Sequence, residues 1–379
     1  MKTFSLSRAK NKIYKPSNFG LHCHCAETKK HLLQLLKMSK QENVCVLVIN
    51  NHKSLAIYTK ILQQLSSEDL EPYKGMKLLP SIELPANFTY TNTDGKSYNI
   101  EIHILGYGVD VGKEELLQSF CSKKYKSINQ SDELKRLVSI AHKLGLNFND
   151  EDVYLDPSDD NRKFAARALM QGLLKNKDDN FCQEGEINPN KLPYALRSDW
   201  RGFHSICVND SNSPFYLDMT NYNPDASEVI DLIHNMGGKA YLAHPSAYFA
   251  KIGTEEQINK AFREVVKFAR DFIHHYSPKS NNAICIDGAE VYHPTYSGNI
   301  KVTSELKELV KQYRLGSSGG TDIHVDQTLG NNESVSSDSL GGKITRNKLR
   351  KFWFFRQNAL EVCKLRKRVI DLSRERTDR

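Results

Sequence analysis

Residues 18–50 read NFGLHCHCAETKKHLLQLLKMSKQENVCVLVIN. FGLHCHC alternates like a strand. KHLLQLLKMSKQEN then places Leu32, Leu35, Leu36 and Ser39 on one helical stripe. VCVLVIN is an apolar, β-branched run that suits a buried strand. Strand, helix and strand this close together predict a parallel α/β unit. On the first strand His22 and His24 are two apart and leave one face, so Cys23 and Cys25 leave the other, toward core.

The same rhythm continues outward. SLAIYTKILQQLSS predicts a helix, MKLLPSIELPA a strand ending at Glu83, and FTYTNTDGKSYNIEIHILGYG a hairpin about Asp94-Gly95. Residues from about 112 to 222 break it with polar helical stretches (SDELKRLVSIAHKLG, RKFAARALMQGLLK) and loops such as DPSDDN. From ASEVIDLIHNMGG the βα alternation resumes, with Gly237-Gly238 ending a helix. It runs through KAYLAHP, TEEQINKAFREVVKFARDFIHHY, AICIDGAEVYH, TSELKELVKQY and a last strand, RLGSSGGTDIH; NNESVSSDSLGG at 331–342 predicts a flexible loop. The expected organisation is a barrel in two halves, 1–111 and 223–344. A mainly helical subdomain, 112–222, is inserted between them, and a helical, basic segment, 345–379, follows.

Composition narrows the class. The 379 residues are 39% apolar, enough for a sizeable core, and no apolar run approaches membrane-spanning length. Eight cysteines without CxxC spacing, and no export signal, predict reduced thiols in the cytoplasm. The net charge of +8 sits wholly in residues 345–379, where twelve Lys/Arg face four Asp/Glu; the remainder is balanced. That segment, with Phe352, Trp353, Phe354 and Phe355, is a candidate surface for nucleic acid or an acidic protein partner, against the plainer expectation of a solvated amphipathic helix.

Metal-capable residues fall at successive predicted strands: His22 and His24 on the first, then His52, Glu83, His103, His244, Glu290 with His293, and Asp322 with His324. Any one could be a satisfied core residue. Together they would converge on the C-terminal rim where barrel enzymes carry their chemistry. So many carboxylates and imidazoles need compensating cations, and mixed N/O donors suit Mn²⁺, Zn²⁺ or Fe²⁺ better than Mg²⁺ or Ca²⁺.

HxH, LPSIELP, EIHILGYG, GGKAYLAHPS, DGAEVYHP and GGTDIH resemble, in order over residues 17–327, the motifs of the PHP (polymerase and histidinol phosphatase) superfamily of phosphoesterases. DNRKFAARALMQG is similar to a segment in the inserted domain of members acting on nucleotides and RNA ends. The resemblance implies a distorted seven-stranded (βα) TIM-like barrel holding two or three divalent metals. His22, His24, Glu83 and Asp322 would bind the first ion, with Glu83 bridging to a second on His103 and His244. His52 and His324 would serve a third. The implied activity is hydrolysis of a phosphate ester by a metal-activated water, with His324 or His293 protonating the leaving group and Arg162 clamping phosphate. Glu290 would orient a ligand or contact substrate.

Several positions depart from the family pattern. Gly20 and Lys29 stand where acids are expected, TDH has become Asn50-Asn51-His52, and Phe164 replaces a histidine. The third ion is therefore in question. Glu27 or His31 could replace the missing donor, or Lys29 could meet substrate phosphate directly. The leading expectation is a phosphoesterase for a nucleotide or nucleic-acid end. The rivals are a small-metabolite phosphomonoesterase and a degenerate subunit that binds a partner or nucleic acid.

Overall fold

A computed structural model describes residues 18–41, 44–159, 161–184, 186, 188–197, 203–208, 213–248, 255–280, 283–292, 300–320, 323–325, 335–337, 342–344 and 370–372. The opening unit forms as its periodicity dictates. β1 (Asn18–Cys25) pairs in parallel with β2 (Val44–Ile49), and α1 (Lys29–Gln41) lies between them in sequence. α1 buries Leu32, Leu35, Leu36 and Ser39, and His31 beside them.

The next segment departs from the expected regular helix. Residues Ile57–Ile61 form a widened π turn and Leu62–Gln64 a 3₁₀ turn. Two local reasons are visible. Thr59 donates its hydroxyl back to the Leu55 carbonyl, and the Tyr58 hydroxyl is fixed to Ile49 N and O and to Leu79 O.

β3 runs from Lys77 to Thr91, so Glu83 lies mid-strand and not at its end. The strand continues because Phe88 and Tyr90 keep the alternation and pair antiparallel with β4 (Ser97–Tyr107). Their turn is built by Asn92, whose Oδ1 accepts from Asp94 N and Lys96 N, and by Gly95 at φ +82°.

After the insertion, α5 (Ala226–Asn235) starts at an Asp225–Glu228 capping box and ends at Gly237, φ +73°. β5 (Lys239–Leu242), α6 (Glu255–His275), β6 (Gly288–Tyr292), α7 (Ile300–Gln312) and β7 (Gly316–Gly319) follow.

The sheet order is β10 (Gly342–Ile344), β9 (Val335–Ser337), β8 (Ile323–Val325), then β1-β2-β3-β4-β5-β6-β7. Neighbours β8/β1/β2/β3 and β5/β6/β7 are parallel, while β4 is antiparallel to both β3 and β5. The expected last strand is split in two. Its first part, β7, pairs with β6; its second, β8 (Ile323–Val325), pairs with β1 at the far side of the sheet. Such a change of partner curls the sheet into an open barrel, and no hydrogen-bonded ladder joins β7 to β1 among the described residues. The join is tight. A Cβ on Gly320 would stand 2.1 Å from His22 Cβ, so only glycine allows this approach.

Two expectations for the chain's end are corrected. Residues 335–337, within the expected flexible loop 331–342, form β9 (Val335–Ser337) against β8, and β10 (Gly342–Ile344), which starts at the loop's last residue, pairs with β9. Within 345–379, where a helix was expected, β11 (Ile370–Asp371) pairs antiparallel with the start of β3, and Leu372 is buried in the core. Val369-Ile370 and Leu372 supply the β-branched, alternating pattern that favours this. The rest of that segment, with its aromatic run, lies outside the described residues.

Between the halves, α2 (Glu114–Lys124) packs Leu117 into the barrel core, whereas α3 (Gln130–Lys143) and α4 (Ala165–Leu173) share a second core with Phe181, Phe203 and Phe215. This second core is tied to the β3–β4 hairpin at several points. Tyr125 donates to Pro85 O, Asn87 to Met219 O and Asn223 O, and Tyr216 to Asn99 O.

Candidate metal centre

β1 turns His22 and His24 inward and sends Cys23 and Cys25 into the core, where they are 1% and 3% exposed. Cys23 donates to Val48 O, and burial, with the Glu27 charge, pushes the Cys25 thiol up to about 12. These thiols are packing groups and not nucleophiles. Register explains the rest of the cluster. Glu83 pairs with Leu105 across β3/β4, so His103, two residues before Leu105, projects on the same face as Glu83. His52 forms a bridge beside Glu83 at the end of β2, and His244 follows β5.

All five imidazoles meet the Glu83 carboxylate. Oε1 is 2.8 Å from His103 Nδ1 and 3.0 Å from His244 Nε2. Oε2 is 3.0 Å from His24 Nε2, 3.4 Å from His22 Nε2 and 3.4 Å from His52 Nδ1. Despite these short approaches, buried Oε2 takes part in no hydrogen bond. His22 Nε2 and His24 Nε2 also stand only 3.1 Å apart. A buried oxygen without a hydrogen bond, set among converging imidazole nitrogens, is what a shared cation would satisfy. Two triads meet the reach of a single ion: His22–His24–Glu83, wholly buried, and His52–Glu83–His103, nearer the surface. The donor set therefore fits divalent metals, with Glu83 common to both triads.

The electrostatics without metal agree. Burial alone would raise Glu83, but His103, His22 and His52 hold it well below the usual carboxylate range. Burial would lower His22, yet Glu290 and Glu83 raise it well above the ordinary imidazole value. His103, likewise opposed by burial, rises to about 10 beside Glu83 and Glu101.

Glu290 is fully buried. Its oxygens lie 3.1 and 3.2 Å from His22 Nδ1, and Oε2 accepts from His244 N at 2.8 Å. It thus fixes the His22 ring and the backbone at His244.

The positions that departed from the family pattern serve the backbone. Lys29 pairs with Asp69 at 2.7 Å. Asn51 clasps Cys25 through both its N and its O, and touches Glu27 at 3.4 Å. His31 is buried against Thr28 in the first turn of α1. Arg162 lies in the inserted region, its Nη1 donating to Asp152 O and its guanidinium 4.1 Å over the Tyr154 ring. His293, Asp322 and the His324 side chain fall outside the described residues. The backbone of His324 pairs with His24 in the β1–β8 ladder.

Sequence inspection passed over four neighbours of this centre. Glu101 lies two residues before His103 on the same face. Its carboxylate, which burial would raise, is brought down to about 2 by His103 and His204, helped by a 2.6 Å bond from Asn223. The period-two spacing in EIH was the available signal. His204 comes from the inserted region, and no local pattern connects it to β4. Tyr248 accepts from His103 N and donates to Ala243 O, fixing the β4–β5 edge. Lys53 follows His52, and burial holds its amine below the ordinary lysine value.

No family model matches the chain. It is 22% identical over 312 residues to the 5′–3′ exoribonuclease Rnm of Escherichia coli (strain K12), covering 81% of this chain and 85% of that protein. A solved structure from Bifidobacterium adolescentis, of a protein provisionally assigned as a metal-dependent phosphoesterase, superposes with a TM-score of 0.43 at 15% identity. That superposition covers 89% of this chain and 95% of the other. Among the described residues no helix is long and apolar enough to cross a membrane.

Proposed function

We propose that the chain is a metal-dependent phosphoesterase that cleaves a phosphate ester at the end of a nucleic acid or nucleotide. The observation that carries this is the Glu83 carboxylate, buried among five imidazoles with an Oε2 that forms no hydrogen bond. Two ions bound there, of the Mn²⁺, Zn²⁺ or Fe²⁺ class, would supply an activated water and neutralise charge on the phosphoryl oxygens. His22 and His24 would hold one, His103 and His244 the other, and Glu83 would bridge them. Asp322 would complete the first.

Glu290 fixes the His22 ring and the His244 backbone, so the donors keep their directions without bound metal. His22, His24 and His244 are buried, while the His52 side chain is 44% exposed and that of His103 23%. Substrate would therefore approach across His52 and His103. His324 and His293 remain the proposed proton donors to the leaving oxygen. A clamp by Arg162 would require it to leave Asp152 O. Likeness to an exoribonuclease, and an inserted region anchored on the hairpin that carries His103, support a nucleic-acid end over a small metabolite.

The test is elemental analysis of untagged protein purified without chelator, followed by assay on 5′-phosphorylated RNA oligonucleotides and mononucleotides. Two bound divalent ions and metal-dependent release of product would support the proposal. A metal-free folded chain, or a loaded chain inert toward every phosphate ester, would overturn it.

A further inference from the structure

Two non-glycine residues among those described adopt a left-handed backbone, Lys53 at φ +56° and Arg314 at φ +56°. Arg314 follows α7, where a left-handed residue commonly ends a helix. Lys53 follows a strand and His52, so no helix end accounts for it. Its N–H bonds Glu83 O at 3.1 Å, which fixes the backbone beside the central carboxylate. Strained conformations of this kind collect where a side chain must be aimed.

The aim of Lys53 is specific. Its Nζ sits 3.9 Å from the centroid of the Tyr125 ring, and Tyr125 is itself anchored to β3 through Pro85 O. No carboxylate lies within ion-pairing distance of that ammonium among the described residues. Glu101, whose charge reaches it, is engaged by Asn223 at 2.6 Å and faces His103 at 3.6 Å. A half-buried cation on an aromatic face, next to a metal-type cluster and without an anion, lacks the partner that cations in such places keep.

We propose that Lys53 is the phosphate-binding residue of this centre. Its ammonium, seated on Tyr125 within the field of Glu101, which faces His103, contacts a non-bridging oxygen of the substrate's phosphoryl group. The assignment rests on the phosphoesterase proposal and deepens it. It gives the exposed His52–His103 side an anion subsite and takes over the role expected of Arg162 and Lys29, whose charges are already engaged.

The experiment uses the full chain loaded with Mn²⁺ and measures inorganic phosphate binding by calorimetry, alongside kcat and KM on a 5′-phosphorylated oligonucleotide. Lys53→Gly removes the ammonium and suits the left-handed backbone, so the fold is kept. Phosphate affinity is expected to weaken about tenfold or more, with KM rising in parallel and kcat changing less than about threefold. Metal content should be unchanged and the melting temperature no lower. Lys29→Gln should alter none of these. Phosphate binding as tight in Lys53→Gly as in the wild type would overturn the assignment. A wild type that binds phosphate through Lys53 yet hydrolyses no ester would sink the hydrolase reading and leave the subsite standing. A wild type that binds no phosphate would sink both.

Discussion

The floor of the centre and its rim are built differently. On the floor, His22, His24, His244, Glu83 and Glu290 are enclosed by sheet and hold one another at 2.8–3.4 Å. At the rim, Lys29 and Asn51, which depart from the family pattern, and His31, considered as a replacement donor, are spent on structure: Lys29 on Asp69, Asn51 on Cys25, His31 on Thr28. On the floor Glu83 Oε2 is left without a hydrogen bond, which costs about 1–3 kcal/mol and which a cation would offset. At the rim each of these polar side chains has found a partner in the protein instead, Lys29 from an exposed position and Asn51 and His31 from buried ones. The difference sets a shared donor cluster on the floor against a rim held by contacts within the protein.

The most forceful way to break this contrast is at Glu83. Glu83→Gln should lower activity by about a thousandfold or more and release both ions together, since both triads share it. Loss of one ion only, by elemental analysis, would show that the triads are independent. Glu290→Gln should act more gently, weakening metal affinity by about 10- to 100-fold with activity largely restored at high metal concentration. Metal-independent loss would instead make Glu290 a participant.

pH offers a third handle, on the metal-free chain. His103 is raised from 6.5 to about 10, so its stabilisation is complete below pH 6.5 and disappears as pH climbs through about 10. Glu83 is held below its usual 4.5, so its contribution is present above that value and is lost in acid. Thermal midpoints without metal should therefore peak between about pH 4.5 and 6.5. Stabilisation by added metal should grow toward alkaline pH as protons cease to compete. A flat midpoint from pH 6 to 9 would contradict this.

The smallest effect is expected on the other face of β1. Cys23→Ala should cost about 1 kcal/mol of stability through a lost sulfur and a small cavity, leaving metal content at two equivalents. Loss of metal in that variant would return the thiols to consideration as ligands.

Periodicity made β1, α1 and β2 legible, and with them the inward His22 and His24. The collection of imidazoles around Glu83 was legible as well, because each lies near a strand whose apolar run is plain. Three things were not. Glu83 was expected at a strand end because PSIELPA looks like a stop, whereas cross-strand pairing carries β3 on to Thr91. The last strand divides between two partners, which depends on the far edge of the sheet and not on local sequence. Lys53 escaped notice because a left-handed lysine has no sequence signature.

The change of partner at Gly320 bears on the order in which this molecule comes into being. β1 is the first described strand to leave the ribosome, but its second neighbour, β8, is made some 300 residues later. Glu290, which holds His22, emerges 268 residues after it. Until then the first two histidines have no complete surroundings, and the closing contacts carry the large entropic cost of distant pairing. The nascent chain thus cannot assemble the centre early, and a truncated product would be a silent one. The centre's surroundings would be complete only once the strands on both sides of β1 have been made.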